Sequence, residues 1–291
     1  MAPINIAIPP PFQTPIQRFH TKRHLPIQQS NRTGQLPTTL HANHIFDQTG
    51  NKLNIDKLIT MPTTKDIWIN GLNNELGRLS NGYRPNNVKG TNMLRFIYRN
   101  TIPPNRKITY SNFVCNFQPL KKEKFRVRMT VDGAKLDYPH DTASPTAALI
   151  NTKLIINSTI SDHKIYGSRF CSIDIKDFFL QTTMDTPEYI RIHKRYFSEY
   201  FIREYNLNNL INKDNYIYCE ITKGMYDLKQ AAILAYKQLV GRLKAQGYHP
   251  IPTSNGLWKH DTRPTLFALC VDDFGVKYNS KDDLQHLITT L

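Results

Sequence analysis

The chain has 291 residues, 40% of them hydrophobic, which is enough for one large domain or two modest ones with a packed core. Its 38 Lys and Arg against 23 Asp and Glu give a net charge of +15, which favours a polyanionic partner, most often nucleic acid, over a basic protein without one. A membrane span, a signal peptide and a CxxC zinc knuckle are all disfavoured, because no long apolar run, no charged n-region with an apolar stretch and no CxxC pair occurs.

The first segment, residues 1–62, differs in composition from the rest of the chain. It opens with "MAPINIAIPPPFQTPIQRFHTKRHLPIQQSNRTGQLPTT", which is rich in Pro, Gln, Asn and Thr and shows little periodicity. Such a segment buries too little apolar area to offset its ordering entropy. We therefore expect a flexible leader over 1–62, followed by a folded core over 63–291.

The core opens with a predicted helix. Apolar residues spaced by four, four and three place one face of that helix toward the interior: Trp68, Leu72, Leu76 and Leu79. Thr64 suits its start, and the Ser80-Asn81-Gly82 string suits its end. A structural role is expected for it.

Short runs that are rich in β-branched and aromatic residues predict strands next: "MLRFIYRN", "RKITYSNFVCNF" and "FRVRMTVDG". A helix is predicted after Pro145, with Ser144 as its cap. The segment "RFCSIDIKDFFLQ" predicts a strand that turns toward a helix or loop near Asp177, and "PEYIRIHK" and "YIYCEIT" predict strands. "LKQAAILAYKQLVGRLKAQGY" predicts a long amphipathic helix that Gly247 ends. "LWKH", "TLFALCV" and "FGVKY" predict three further strands before a last helix. This order predicts an α+β fold with antiparallel strands.

Two adjacent acids interrupt an apolar alternating run in "TLFALCVDDFGVKY". If Asp272 and Asp273 stand at the tip of a hairpin, both strands are buried while the carboxylates stay exposed. Two adjacent like charges repel, and a divalent cation such as Mg²⁺ removes that repulsion. An ordinary acidic turn is the alternative interpretation.

A third acid lies in the apolar strand "FCSIDIKDFF". Asp174 is flanked by Ile173 and Ile175, where strand propensity disfavours an acid. If Phe170, Ser172 and Asp174 share one face, Asp174 can lie beside the hairpin tip. The three acids would then form a two-metal site for phosphoryl transfer, holding two Mg²⁺ ions, with Mn²⁺ as an alternative.

Three blocks in order, "SIDIKDFFL", "GMYDLKQAAILAYKQL" and "LCVDDFGVKY", resemble the reverse transcriptase of copia-type long-terminal-repeat retrotransposons. That family has a D-x-K-x-A/F-F-L strand, a Y-G-L-K-Q-A-P helix start and a V-D-D hairpin. Upstream, "FRVRMTVDG" with "DYPHDTASPTAALI" is similar to its K-A-R-L-V and T-x-S-P strings, and "DIWINGLNNELGRL" to its opening helix. The resemblance spans roughly 63–291, and a related retroelement lineage is the alternative.

The resemblance implies the fingers and palm of a right-hand polymerase, with palm parts at about 166–180 and 223–291. It also implies an RNA-directed DNA polymerase that uses dNTPs on a primed RNA or DNA template.

Asp174, Asp272 and Asp273 would be the catalytic and metal-binding residues. The implied nucleotide-binding residues are Arg128, Phe179, Tyr226, Lys229 and Gln230, with Phe179 as the ring that excludes a ribose 2′-hydroxyl. Core packing is the alternative for Phe179. A basic cluster beside Arg128 could assist, or be a solvated face: Lys121, Lys122, Lys124 and Arg126.

The sequence departs from the family pattern at two positions. Asp227 stands where the family has Gly, and Ala232 where it has Pro. An acid at that turn would repel nucleotide phosphates and strain the backbone. The chain also reaches Leu291 soon after the hairpin, so we expect a polyprotein piece that lacks thumb and RNase H. The alternative function is a catalytically decayed fragment that keeps the fold and binds nucleic acid without catalysis.

A third function class, a metal-dependent nuclease or integrase, would need a D…D…E order with Glu on a helix, and no such constellation is apparent near these acids. We expect a cytoplasmic location, with a virus-like particle and access to the nucleus left open. A reducing compartment agrees with cysteines that lie far apart, of which Cys171, Cys219 and Cys270 are expected to be small buried side chains.

Overall fold

The structure, a computed structural model, describes residues 4–7, 40–41, 44–47 and 49–291. The chain has the predicted α+β fold. The described strands are β1 (Ile4–Ala7), β2 (Leu40–His41), β3 (His44–Ile45), β4 (Leu94–Ile97), β5 (Ile108–Phe117), β6 (Phe125–Val131), β7 (Arg169–Ile175), β8 (Thr183–His193), β9 (Tyr216–Lys223), β10 (Tyr248–Pro250), β11 (Leu257–His260), β12 (Leu266–Cys270) and β13 (Asp273–Tyr278). The described helices are α1 (Ile55–Thr60), α2 (Lys65–Leu79), α3 (Leu149–Tyr166), α4 (Glu199–Glu204), α5 (Ala231–Ala245) and α6 (Lys281–Thr290).

Two larger sheets organise these elements. The first sheet has the order β1-β7-β13-β12-β11-β10 and is antiparallel throughout. The second sheet has the order β4-β9-β8-β5-β6, and its β5–β8 pair is parallel. That parallel pair differs from the antiparallel expectation, because β5 and β8 are joined by a long connection that contains α3 and β7. None of the helices in the described part of the chain has the length and apolar character that crossing a bilayer requires.

The first sheet buries one face against α5 and α6. Large side chains of the hairpin strands fill this core, with Trp258, Phe267 and Phe274 each at most 1% exposed. Leu239 of α5 and Leu287 of α6 close it, both fully buried. The strand β7 contributes alternate residues to the same core, so its remaining residues face the other way.

The other face of the first sheet lies under α3. Gly275 of β13 faces Thr152 of α3, where even a Cβ would lie at an ordinary contact distance of 3.5 Å from the Thr152 methyl carbon. Lys277 of β13 donates to the Ser158 hydroxyl at 2.6 Å and forms an ion pair with Asp162. The helix therefore covers the part of this face that lies away from the hairpin tip.

The second sheet packs on α2 as its sequence pattern predicts. Trp68, Leu72, Leu76 and Leu79 are all at most 1% exposed, and the helix runs between the predicted caps. Gly71 of α2 allows the backbone of β6 to come close, since a Cβ there would lie 3.1 Å from the Phe125 carbonyl oxygen. The helix fixes where β6 lies.

Part of the expected leader belongs to the folded unit. Ile45, Leu53, Ile55, Leu58 and Ile59 are buried in the core that α2 forms. The strand β1 pairs with β7 at the edge of the first sheet. The expectation of a flexible segment up to residue 62 is therefore wrong for 45–47 and 49–60. The apolar residues of these stretches are few and irregularly spaced, so they gave no periodic signal. Most of the remaining leader, including 8–39, lies outside the described residues.

Two smaller expectations are also corrected. The helix α3 begins at Leu149 with Ala148 as its cap, because the Ala147 amide instead donates to the Leu269 carbonyl at 2.8 Å. Ser144 and Pro145 therefore precede the helix by several residues. Cys115, Cys171 and Cys219 are buried, whereas Cys270 is exposed at the end of β12 beside the hairpin turn.

Candidate active site

The hairpin of β12 and β13 ends in a two-residue turn. Cys270 pairs with Asp273, so Val271 and Asp272 form the tip. Val271 has a φ of 61°, a conformation that is an outlier for a β-branched residue and costs about 1–3 kcal/mol. A hydrogen bond of 3.1 Å from the Ile175 amide to the Asp272 carbonyl ties this strained tip to β7. The tip is thus held in place by the neighbouring strand.

Asp174 lies directly beside this tip. In the antiparallel register of β7 and β13 it is the partner of Asp273, so the two side chains leave the same face of the sheet. Ile173 and Ile175 point into the core on the opposite face, both at most 4% exposed. The alternation in "CSIDI" therefore has the predicted consequence that Asp174 and the hairpin acids share one end of the sheet.

The electrostatic environment of Asp174 and Asp272 is unfavourable to their charged forms. Burial raises the pKa of Asp272, the carboxylates of Asp273 and Asp174 raise it further, and the Arg128 guanidinium opposes them. Burial likewise raises the pKa of Asp174, with Asp273 and Asp177 adding to the effect and Lys121 opposing it. None of the three predicted acids forms an ion pair with another residue of the described chain. No ion pair in the described chain therefore offsets the repulsion between these carboxylates.

The donor chemistry fits a hard divalent cation. Carboxylate oxygens are the ligands that Mg²⁺ prefers, and three uncompensated carboxylates supply the charge. Asp174, Asp272 and Asp273 are therefore the residues that would hold such an ion. As the side chains stand, no group of three or more His, Cys, Asp or Glu in the described ranges is gathered closely enough to enclose a metal.

Cations from the second sheet face these acids. Arg128 is exposed on β6, and its guanidinium lies 4.7 Å from the centre of the Tyr226 ring. The same guanidinium is near enough to Asp272 to act on its pKa, as Lys121 from the β5–β6 connection is to Asp174. The site is consequently formed where the two sheets meet, with acids on one and bases on the other.

Phe179 and Tyr226 lie together at this junction. Their rings meet edge to face with centres 5.8 Å apart, and Phe179 also contacts Phe178 at 5.5 Å. Phe179 is only partly exposed and packs against the cores of both sheets. Its ring is thus available at the surface of the site while also filling the space between the sheets, so the packing role and the predicted selective role are compatible.

Lys229 and Gln230 have partners within the protein. The Lys229 ammonium donates to the carbonyls of Leu136 at 2.8 Å and Ala134 at 3.3 Å. Gln230 is 4% exposed, and its amide donates to Glu188 at 3.0 Å. These contacts favour a positioning role for both residues at the start of α5. Direct contact with a nucleotide stays a prediction for them.

The turn before α5 is strained at the position that departs from the family pattern. Asp227 has a φ of 67°, in the left-handed region that glycine adopts without cost. Gly133 packs against it so tightly that a Cβ there would lie 2.0 Å from the Asp227 carbonyl oxygen. The backbone shape expected for glycine is therefore kept although the residue is an acid.

One acid near the site was not singled out from the sequence. Asp177, three residues after Asp174, also has a left-handed φ of 56° and acts on the pKa values of Asp174 and Tyr226. The sequence predicts that the strand turns near Asp177 but gives this acid no role in the site, because a continued strand would place it on the opposite face from Asp174. The turn after β7 brings it back toward the site.

The comparisons with known proteins found no relative of the chain. No family model matches the chain, and neither the curated proteins nor the solved structures give a match. The likeness to copia-type reverse transcriptases therefore rests on the quoted motifs and stays a prediction.

Proposed function

We propose that the chain is the fingers and palm core of an RNA-directed DNA polymerase of a copia-type retroelement. The observation that carries this proposal is the pairing of Asp174 with Asp273 beside the strained Val271-Asp272 turn, opposite Arg128. The first sheet would be the palm and the second sheet the fingers. The net charge of +15 supports a nucleic-acid substrate.

The roles follow from position. Asp174 and Asp272 would together hold the two Mg²⁺ ions. Asp273 would be the third carboxylate of the site. Bound Mg²⁺ would supply activation of the primer 3′-hydroxyl and neutralisation of charge on the transferred phosphate. Arg128 and Lys121, on the facing sheet, would bind the triphosphate of the dNTP. Phe179 would lie under the sugar, where its ring leaves no room for a 2′-hydroxyl.

The direct test is primer extension on RNA and DNA templates with the purified full chain. Asp272→Asn should remove extension, because an amide cannot balance the charge of a cation. Asp214→Asn is the matched control, since Asp214 is exposed in the turn before β9. Extension that persists unchanged in Asp272→Asn would come from a contaminant and would sink the polymerase proposal.

The second candidate is a nucleic-acid-binding protein without catalysis, and Asp227 favours it. An acid held in a glycine conformation close to the nucleotide-binding side of the site would repel phosphate. Asp227→Gly distinguishes the candidates. It should increase extension if the acid only weakens dNTP binding. A chain that binds primed template but extends it neither as wild type nor as Asp227→Gly is the non-catalytic protein.

A further inference from the structure

The outer face of the second sheet carries a row of two cations, two tyrosine rings and one histidine ring. We call it the ladder, and it consists of Lys135, Tyr110, Arg191, Tyr216 and His193. The Arg191 guanidinium lies 4.4 Å from the centre of the Tyr110 ring and 4.7 Å from that of Tyr216. The Lys135 ammonium lies 5.0 Å from Tyr110, and the His193 ring meets Tyr216 at 5.1 Å.

The strand pattern explains why these residues share a face. On β8, Ile190 and Ile192 are fully buried in the core, so Arg191 and His193 point to the outside. Arg191 is the direct neighbour of Tyr110 in the parallel β5–β8 register. The neighbouring strand β9 presents Tyr216 next to His193. The ladder therefore crosses three adjacent strands.

The charge at the centre of the ladder is not compensated by an acid. Arg191 donates to the Tyr110 hydroxyl and forms no ion pair with a carboxylate in the described part of the chain. Other arginines of this sheet are paired, Arg95 with Glu220 at 3.6 Å and Arg106 with Glu188 at 2.9 Å. Arg191 thus offers a positive charge that is already oriented by two rings.

Among the described residues, one part of this sheet face is covered by the segment after β4. The segment after β4 places Ile102 against Tyr189 and Tyr218, and all three are buried. Tyr110, Arg191, His193 and Tyr216 remain partly exposed. The Lys135 side chain is 60% exposed and forms an ion pair with Asp132 at 2.8 Å, so Arg191 is the ladder's cation without an acidic partner among the described residues. The ladder is therefore open to a ligand beside a covered hydrophobic cluster.

We propose that the ladder binds single-stranded nucleic acid. Unpaired bases stack on aromatic side chains and on guanidinium planes, and phosphates pair with nearby cations. The ladder supplies Lys135 and Arg191 as cations, beside tyrosine and histidine rings, across three adjacent strands whose spacing is roughly 4.8 Å. A duplex has its bases already stacked within it, so exposed rings favour a single strand. An acidic protein segment would use the cations but has no need of the rings.

The ladder is separate from the candidate active site. Its residues lie on β5, β8 and β9 and the turn after β6, whereas the carboxylates lie on β7 and at the β12–β13 turn. The inference therefore goes beyond the polymerase proposal and does not require it. If both hold, the ladder binds unpaired template outside the catalytic site.

The test is fluorescence anisotropy with a labelled twelve-nucleotide oligo(U) and the full chain. Tyr216→Leu should weaken binding about fivefold or more by loss of one stacked base, and Tyr216→Phe should retain wild-type affinity. Arg191→Gln should lower the slope of log K against log salt by about 0.7, as loss of one phosphate contact demands. Tyr166→Leu and Arg203→Gln, exposed residues on α3 and α4, are the matched controls and should change neither quantity.

Two outcomes of this experiment would overturn the proposal. Equal affinities for wild type, Tyr216→Leu and Arg191→Gln, with all three folded by circular dichroism, would overturn the proposal. Displacement of the oligonucleotide by polyglutamate of the same charge, equally in wild type and Tyr216→Leu, would show a surface that recognises charge alone and would also overturn it. Asp272→Asn should bind the oligonucleotide normally, so a failure of extension leaves this inference standing.

Discussion

Asp272 occupies a position that opposes its own charge. It is partly buried at a strained turn, next to Asp273 and across from Asp174, with Arg128 as the opposing cation. Burying a carboxylate costs stability unless a partner compensates it. The arrangement is therefore costly to the fold, and such costs are typical of residues placed for binding or catalysis.

The raised pKa of Asp272 leads to a prediction about stability. Because the folded state binds this proton more tightly than the unfolded chain does, stability should increase as the pH falls through the raised value. Asp272→Asn removes the charge at every pH. In buffer with a chelator at pH 7 it should melt about 1–3 °C above wild type, and the difference should vanish once the pH falls below 3.8, the ordinary pKa of the carboxyl. Thermal melts across this pH range check it, with Asp214→Asn as control. A lower melting temperature for Asp272→Asn at pH 7 would show that the carboxylate is compensated.

The helix α2 and the β5–β6 hairpin form the element that carries the cations to the site. Glu75 of α2, whose side chain is 2% exposed, accepts from the Met129 amide at 3.1 Å and forms an ion pair with Arg78. Arg78 also pairs with Glu123 in the β5–β6 connection at 2.9 Å. Met129 adjoins Arg128, so this network fixes the strand position from which Arg128 faces Asp272.

Removing Glu75 should therefore disturb both stability and the site. Glu75→Ala leaves the Met129 amide and the Arg78 guanidinium without their buried partner, and should cost about 3–5 kcal/mol in the free energy of unfolding. Urea denaturation measures it. Glu199→Ala, on the exposed start of α4, should change it by less than about 0.5 kcal/mol. A loss below about 1 kcal/mol for Glu75→Ala would mean that the network does not hold the hairpin on α2.

At the scale of elements, regular patterns were predictable and long-range packing was not. The 3.6-residue spacing fixed α2, and strict alternation in β7 placed Asp174 on the open face. The start of α3 depends on the bond from Ala147 to Leu269, which no local signal reveals. The packing of 45–47 and 49–60 against α2 and the parallel β5–β8 pair are long-range as well.

At the scale of the whole molecule, the two sheets divide the chemistry between them. The first sheet supplies Asp174, Asp272 and Asp273, and the second supplies Arg128 across the junction and Arg191 on its outer face. The proposed chemistry requires the three acids to form one cation site, which an ordinary acidic turn would not do.

Calorimetric titration with Mn²⁺ tests that claim most directly, because it does not depend on activity. The wild-type chain should bind Mn²⁺ at a site that Asp174→Asn and Asp272→Asn each remove, since the ion needs carboxylates from both strands. Asp214→Asn should bind as wild type does. Binding that is equal in all four proteins, or lost in Asp272→Asn but unchanged in Asp174→Asn, would contradict a shared site.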